Sequence, residues 1–99
     1  MFEEIFPKEV NQQLSQGVAL NILDVREPGE YAGGHIPGAR LFPLGQIPGR
    51  SGELDRNVEY VVVCRSGGRS GLACEWLSSQ GYKVKNMIGG MMSWPGQVE

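Results

Sequence analysis

The segment at residues 59–88, "EYVVVCRSGGRSGLACEWLSSQGYKVKNMI", predicts a strand, a loop, a helix and a second strand in that order. Its first part, "EYVVVC" (residues 59–64), is too apolar to alternate, so we expect a central strand that is buried on both faces. The helix is predicted over residues 69–80, and "YKVKNMI" (residues 82–88) alternates as a strand. The apolar residues predicted to share one face of that helix are Leu72, Ala73, Trp76 and Leu77.

The rest of the chain continues this alternation of strands and helices. Three further strands are predicted, an edge strand first and a weak strand last, at residues 2–6, 19–25 and 39–44. Helices are predicted to begin at Pro7 and at Pro28. Little regular structure beyond a turn or two is expected over residues 45–57, where glycine, proline and charge are dense. The pattern predicts an α/β fold, a five-stranded parallel sheet flanked by helices on both faces.

Length, charge and hydropathy limit the classes of function. The chain has 99 residues, and we predict a single domain over residues 1–99. A formal net charge of -2 gives no electrostatic reason to expect binding to nucleic acid or to an anionic membrane surface. The first residues, "MFEEIFPKEV", lack the features of a secretion signal, and no apolar run approaches the roughly 20 residues of a spanning helix. A cytosolic protein is therefore expected.

One of the two cysteines, Cys64, lies where the central strand is expected to end. Ligands of open α/β sheets bind at this carboxyl edge. Gly67 and Gly68 are expected to adopt a positive φ, which lets backbone N–H groups turn inward at the start of the helix, and such a concavity holds an anion. Because the nearest anion is the thiolate of Cys64, we expect the pKa of this thiol to be lowered and the thiol to act as a nucleophile.

A buried, inert thiol is the alternative interpretation of Cys64, since cysteine packs readily at the end of an apolar strand. The flanking Arg65 and Arg69, together with the pair of glycines, favour a reactive thiol. The second cysteine, Cys74, falls within the predicted helix and is held away from Cys64 by the helical rise. We therefore expect Cys74 to be a packing residue and expect no structural disulfide.

Three separated motifs carry a resemblance to a known family. They are "CRSGGRS" after "VVV", "LDVREPGEYAGGHIPGA" before it, and "GYKVKNMIGGMMSW" after it. Together they resemble the single-domain rhodanese family of sulfurtransferases over essentially the whole chain. The resemblance implies a five-stranded parallel sheet between helices, and a reaction in which the Cys64 thiolate takes the outer sulfur of a donor such as thiosulfate. Cyanide or a thiol then removes that sulfur from the Cys64 persulfide, and no metal or organic cofactor is expected.

The resemblance also implies roles for the residues around Cys64. The loop is expected to bind the anionic substrate through its amides and arginines, which belong to Arg65, Ser66, Gly67, Gly68 and Arg69. Asp24, Arg26 and Ser70 are expected to support the site without binding substrate directly. Local pairing explains part of this set equally well, because Arg69 could bind a carboxylate, Glu30 could pair with a basic loop residue, and Asp24 could pair with Arg26.

The spacing of the loop separates sulfur chemistry from phosphate chemistry. Four residues lie between Cys64 and Arg69, whereas protein tyrosine phosphatases and related cell-cycle phosphatases have five, and Ser70 stands where their arginine would fall. The narrower ring suits one sulfur atom, so phosphatase or arsenate reductase activity is the less favoured alternative. The only histidine, His35, is expected to be structural, since a thiolate stabilised by amides needs no base.

Two kinds of partner stay open. A sulfurtransferase would act on a small thiosulfate-like anion and on cyanide or a thiol. A sulfur-relay or binding module would instead exchange sulfur with protein donors and acceptors and show little activity on small molecules. The intact loop around Cys64 favours the enzyme, while the sequence names neither the physiological donor nor the acceptor.

Overall fold

In the computed structural model, which describes all 99 residues, five parallel strands form one sheet. The strands are β1 (Glu3–Ile5), β2 (Asn21–Asp24), β3 (Arg40–Leu41), β4 (Glu59–Val63) and β5 (Lys83–Met87). Their order across the sheet is β1-β5-β4-β2-β3, so β4 is central while β1 and β3 are the edges. This confirms the predicted α/β fold with a five-stranded parallel sheet.

Four α-helices connect the strands, and they are α1 (Pro7–Ser15), α2 (Pro28–Ala32), α3 (Ile47–Arg50) and α4 (Gly68–Ser79). Three short 3-10 helices, Leu44–Gln46, Ser51–Glu53 and Gly90–Ser93, complete the regular structure. None of the helices is long and apolar enough to cross a membrane.

Residues 45–57 hold more regular structure than the turn or two expected. The segment holds α3 between two turns of 3-10 helix. Ile47 and Leu54 are buried in the core at 1% and 7% exposure, and Pro48 stands in the first turn of α3, where its missing N–H costs nothing. Burial of these two side chains outweighs the turn-forming composition, because apolar burial is worth about 1.5–3 kcal/mol for a large aliphatic residue.

The core lies on both faces of the sheet, as the apolar sequence of β4 predicts. Tyr60, Val62 and Cys64 belong to one buried cluster, and Val61 and Val63 belong to another. Alternate residues of a strand point to opposite faces, so β4 contributes to both clusters. The first cluster also contains residues of α3 and α4, and the second contains residues of α1 and packs against the 3-10 helix Gly90–Ser93. Helices therefore cover both faces.

The predicted apolar face of α4 is wrong in part. Leu72 is 62% exposed and Trp76 is partly buried, whereas the helix buries Ser70, Ala73, Cys74 and Leu77. Apolar residues stand on several sides of this helix, so periodicity alone does not set its rotation. The loop that enters α4 turns Ser70 and Cys74 towards the sheet, and that rotation places Leu72 in solvent.

Candidate active site

A sharp turn joins the central strand to the helix that follows it. β4 ends at Val63 and α4 begins at Gly68, so only four residues make the connection. Gly67 has φ +102°, and a Cβ at this position would lie 3.2 Å from the backbone nitrogen of Gly89. Glycine is required here for both reasons. Gly68 does not have a positive φ, so that part of the expectation is wrong.

The Cys64 sulfur lies inside this turn. The Gly67 N–H donates to Sγ at 3.0 Å, and the Ser70 Oγ lies 3.3 Å from Sγ. Cys64 as a whole is only 1% exposed, so the sulfur faces the loop and not bulk solvent. The immediate surroundings of this sulfur are therefore a backbone N–H group and the Ser70 hydroxyl.

Burial and hydrogen bonding act on the Cys64 thiol in opposite directions. Burial raises its pKa, but hydrogen bonds from the Ser70 hydroxyl and from the backbone N–H groups of Ser70, Gly67 and Ser66 outweigh burial and lower the pKa from its ordinary value. The direction is the one that the sequence predicts. The amides that act on the thiol itself are those of Ser66, Gly67 and Ser70. The binding of a substrate by the amides of residues 65–69 stays a prediction.

The 3-10 helix Gly90–Ser93 packs against the loop and hydrogen-bonds with its backbone carbonyl groups. The N–H groups of Met91 and Met92 donate to the carbonyl oxygens of Cys64 and Arg65 at 2.8 and 2.9 Å. Gly90 has φ +61°, and a Cβ there would lie 2.5 Å from these carbonyl groups. The sequence predicts only a terminal turn at this place. Its Gly89-Gly90 pair is the signal for a close approach of two backbones.

Arg69 is tied to a carboxylate within the protein. Its guanidinium donates to both carboxylate oxygens of Glu30 in α2, at 2.7 and 2.8 Å. Glu30 also accepts a hydrogen bond from the Glu27 N–H at 3.0 Å. The bond from Arg69, followed by the bond from Glu27, lowers the pKa of Glu30 to about 2. Of the two interpretations of Arg69, the structure shows the pairing with a carboxylate.

Asp24 and Arg26 form a buried ion pair where β2 ends. Arg26 Nη2 lies 2.8 Å from Asp24 Oδ2 and also donates to the carbonyl oxygen of Gly34 at 2.8 Å. The backbone N–H of Arg26 donates to Asp24 Oδ1 at 3.1 Å. Asp24 is fully buried and Arg26 is 7% exposed. The local pairing expected as an alternative is therefore present, and it joins β2 to the segment that follows α2.

A cavity of about 400 Å³ opens beside the loop. Its lining consists of Arg26, Glu30, Arg65, Met91 and Met92. Arg65 is exposed and makes no ion pair, whereas Arg26 and Arg69 are each bound to a carboxylate. The larger cavity, of about 720 Å³, lies between α1 and residues 94–97, away from the loop. Arg65 is thus the one unpaired guanidinium at the smaller cavity.

Ser70 has a second partner that sequence reasoning missed. The Ser70 hydroxyl donates to Asn86 Oδ1 at 2.5 Å, and Asn86 Nδ2 donates to the carbonyl oxygen of Gly67 at 3.2 Å. Asn86 lies in β5 and is 5% exposed. The signal in the sequence is the position of Asn86 two residues after Val84, which puts both side chains on the same buried face of an alternating strand.

His35 and Cys74 make no hydrogen bond with the Cys64 loop or with Asn86. His35 stacks on Tyr31 with ring centroids 3.7 Å apart, and its Nδ1 lies 2.9 Å from the Tyr31 carbonyl oxygen. These contacts are those of a structural residue, as expected. Cys74 is a free thiol with no exposure, and its burial raises the pKa to about 12. A thiol with that pKa is protonated at neutral pH.

Comparison with known proteins places this fold and this loop in a family. A family model described as "Rhodanese-like domain" matches residues 6–97. The chain belongs to the rhodanese-like family. A crystal structure of a rhodanese-like domain protein from Staphylococcus aureus superposes with a TM-score of 0.92 at 34% identity, covering 99% of this chain and 97% of that one.

Curated relatives of this rhodanese-like chain carry names from sulfur metabolism. The "Sulfurtransferase" of Allochromatium vinosum is 39% identical over 95 residues, which cover 95% of this chain and 89% of that protein. The "Putative sulfur carrier protein YrkF" of Bacillus subtilis is 42% identical over 97 residues, which cover 97% of this chain. The chain spans about half of YrkF, 52% of its length. Together with the family, these names support a role in sulfur transfer.

The rhodanese-like fold places some predicted site residues in contact with the Cys64 sulfur and others around the loop. Ser66, Gly67 and Ser70 supply the hydrogen bonds that reach the Cys64 sulfur. The predicted Arg69, Asp24 and Arg26 form the ion pairs described above, one with Glu30 and one with each other. Arg65 lines the cavity, and Gly68 opens α4.

Proposed function

We propose that this rhodanese-like chain is a sulfurtransferase in which Cys64 carries sulfur as a persulfide, with thiosulfate as one donor and cyanide or a thiol as acceptor. The observation that carries the proposal is the hydrogen bonding of the Cys64 sulfur. Sγ lies at the carboxyl end of the central strand, with the Gly67 N–H at 3.0 Å and the Ser70 hydroxyl at 3.3 Å. Donors in this arrangement stabilise a sulfur anion.

The reaction has two displacement steps. The Cys64 thiolate attacks the outer sulfur of thiosulfate, the S–S bond of the donor breaks, and sulfite leaves with the electron pair. The outer sulfur of the resulting persulfide carries the negative charge. Cyanide or a thiolate then attacks that outer sulfur, its bond to Sγ breaks, and the Cys64 thiolate is restored. Negative charge thus resides on Sγ before the first step and on the outer sulfur between the steps, and we expect the loop amides to stabilise it in both positions.

Arg65 is proposed to attract the anionic donor. It is the one guanidinium at the smaller cavity without a carboxylate partner, so its charge is available to a substrate. Arg69 is proposed to act indirectly, because its bond to Glu30 ties the first turn of α4 to α2. The Asp24–Arg26 pair has a similar supporting role under the cavity.

A sulfur relay between proteins is the second candidate. The relative YrkF is named as a sulfur carrier, and Met92, at the cavity, is 70% exposed. Met91 and Met92 line this cavity together with the unpaired Arg65, and a lining of apolar and cationic groups suits a larger acceptor than cyanide. A role as a phosphatase is disfavoured, because Ser70 is fully buried and bound to Asn86 at the position where phosphatases need an arginine. The cytosolic location stays a prediction.

Mass spectrometry after incubation with thiosulfate tests the proposal. We expect one added sulfur per chain in the wild-type protein, none in Cys64→Ser, and one again in the matched variant Cys74→Ala. Cyanide should then remove the sulfur and yield thiocyanate. The proposal would be refuted if Cys64 gained no sulfur from thiosulfate, from a small-molecule persulfide or from a persulfidated protein. Loading from a protein persulfide alone would establish the relay in place of the thiosulfate enzyme.

A further inference from the structure

Asn86 is a polar side chain buried in β5 beside apolar ones. It is 5% exposed, and Val84 and Met87 in the same strand are buried as well. A buried amide without hydrogen bonds costs about 2–7 kcal/mol, so this amide needs partners within the protein.

Both hydrogen bonds of the Asn86 side chain go to residues that contact the Cys64 sulfur. Oδ1 accepts from the Ser70 hydroxyl, whose oxygen lies 3.3 Å from Sγ. Nδ2 donates to the carbonyl oxygen of Gly67, whose N–H donates to Sγ. The amide thus reaches the sulfur by two routes, each through one intermediate residue.

The orientation of the Asn86 amide follows from its partners. The Gly67 carbonyl can only accept, so the NH2 group must face it. Oδ1 then faces Ser70, and the hydroxyl proton of Ser70 points at this oxygen across 2.5 Å. A serine hydroxyl has a single proton. Asn86 and the Cys64 sulfur therefore compete for it.

We propose that Asn86 is a positioning residue that holds the Ser70 proton away from the Cys64 sulfur and so favours the sulfur states that need no hydroxyl donor. In the thiol, the S–H group donates to Ser70 Oγ, and Ser70 donates to Asn86. In the persulfide, Sγ carries neither a proton nor the charge, and Ser70 again donates to Asn86. Both states satisfy the whole network.

The free thiolate is the state in which one hydrogen bond of the network is lost. When the thiol ionises, its proton leaves to water, and Ser70 must turn its hydroxyl towards Sγ. Asn86 Oδ1 is then buried without a donor. This penalty offsets part of the hydrogen bond from Ser70 to the thiolate. It raises the free energy of the thiolate relative to the thiol and to the persulfide, so it favours formation of the persulfide. The inference rests on the proposed function insofar as Cys64 is the sulfur carrier.

The charged and titratable groups around Cys64 are the same in every variant used for the test. They are Arg65 and Arg69 with its partner Glu30, the Asp24–Arg26 pair, and Cys74 in α4. None of them hydrogen-bonds with Asn86, so a substitution there leaves their pairing in place.

The test is the pH titration of the Cys64 thiolate by its ultraviolet absorbance, with Cys64→Ser as the blank. No sulfur donor is present, so this result is independent of whether thiosulfate is a substrate. In Asn86→Leu the Ser70 proton is free for the sulfur, and we expect the pKa of Cys64 to fall by roughly half a unit to one unit. Gly67 O keeps a donor in this variant, the N–H of Gly71 at 3.0 Å.

A double-mutant cycle separates this mechanism from a structural role. In the Ser70→Ala background the same Asn86→Leu change should produce no fall, since the hydroxyl is gone. Met87→Leu, a packing change at the next residue, should leave the pKa of Cys64 unchanged. A rise or no change in Asn86→Leu, or an equal shift in both backgrounds, would show that Asn86 acts only through the backbone and overturn the proposal.

A measurement on the wild-type protein covers the case in which Asn86→Leu does not fold. The side-chain amide signals of Asn86 in a nitrogen–proton spectrum should shift with pH at the midpoint of the Cys64 thiolate titration. In Ser70→Ala that shift should be lost. Signals of Asn86 that do not follow the Cys64 titration in the wild-type protein would refute the proposed competition.

Discussion

Replacing Gly90 by alanine should loosen the support of the Cys64 loop. Gly90 has φ +61°, and an added Cβ would lie 2.5 Å from the carbonyl groups of Cys64 and Arg65. The same carbonyl oxygens accept the N–H groups of Met91 and Met92. The methyl group would therefore enter the contact that holds the loop, and backbone atoms on one side would have to move.

Two effects set the size of the loss. An alanine in the left-handed region costs about 1–2 kcal/mol, offset by about 0.4–1 kcal/mol because alanine restricts the unfolded chain. Overpacking against the loop backbone adds about 1–3 kcal/mol, since ordinary contacts lie near 3.5–4 Å. We expect Gly90→Ala to lower the free energy of unfolding by about 2–4 kcal/mol and to reduce sulfur loading of Cys64.

The assay is urea denaturation with Gly17→Ala as the matched control. Gly17 also has a positive φ, +81°, but a Cβ there would have no atom within 4 Å. The control should lose only the conformational part, about 1 kcal/mol. The difference between the two variants measures the contact with the loop. If Gly90→Ala costs no more than Gly17→Ala, the proposed support of the loop by the 3-10 helix is refuted.

Three further predictions concern the pairs and thiols around the site. The bond from Arg69, followed by the bond from the Glu27 N–H, lowers the pKa of Glu30 from 4.5 to about 2. The Glu30 carboxylate therefore stabilises the fold above pH 4.5 and loses this effect as the pH falls towards about 2. The Glu30 side chain is about a third exposed, so Glu30→Gln should cost only about 1 kcal/mol at neutral pH, with the difference from wild type shrinking in acid. Ser70→Ala should raise the pKa of Cys64, because the hydroxyl bond lowers it, as the thiolate absorbance will show. Cys74→Ala should cost about 1 kcal/mol in urea, since the side chain has no exposure, and should leave sulfur loading of Cys64 unchanged in mass spectra.

Each of these predictions has an outcome that contradicts it. A Glu30→Gln difference that stays constant from neutral pH to below pH 4 would show that the carboxylate charge is not what stabilises the pair. An unchanged titration in Ser70→Ala would remove the hydroxyl from the set of donors that reach the sulfur. Loss of sulfur loading in a folded Cys74→Ala variant would make Cys74 part of the chemistry, contrary to its high pKa.

Local patterns sufficed for the order of strands and helices. The apolar run of β4 and the glycines after Cys64 act through residues close in sequence, so a strand end, a turn and a helix start could be predicted there. The rotation of α4 could not, because it depends on how the loop enters the helix and not on periodicity. Leu72 is exposed for that reason.

The parallel α/β order and the position of Cys64 at the carboxyl edge of a central strand can be predicted from the sequence, because hydrophobic period and glycine conformation are local properties. The groups that reach the sulfur and the loop depend on tertiary contacts. Asn86 and Gly90 come from β5 and the segment after it, more than twenty residues from Cys64, and the sheet brings them there. Hydrogen bonds and close backbone contacts between distant segments exist only after the strands pair, which is why no spacing in the sequence specifies the partners of Asn86 and Gly90.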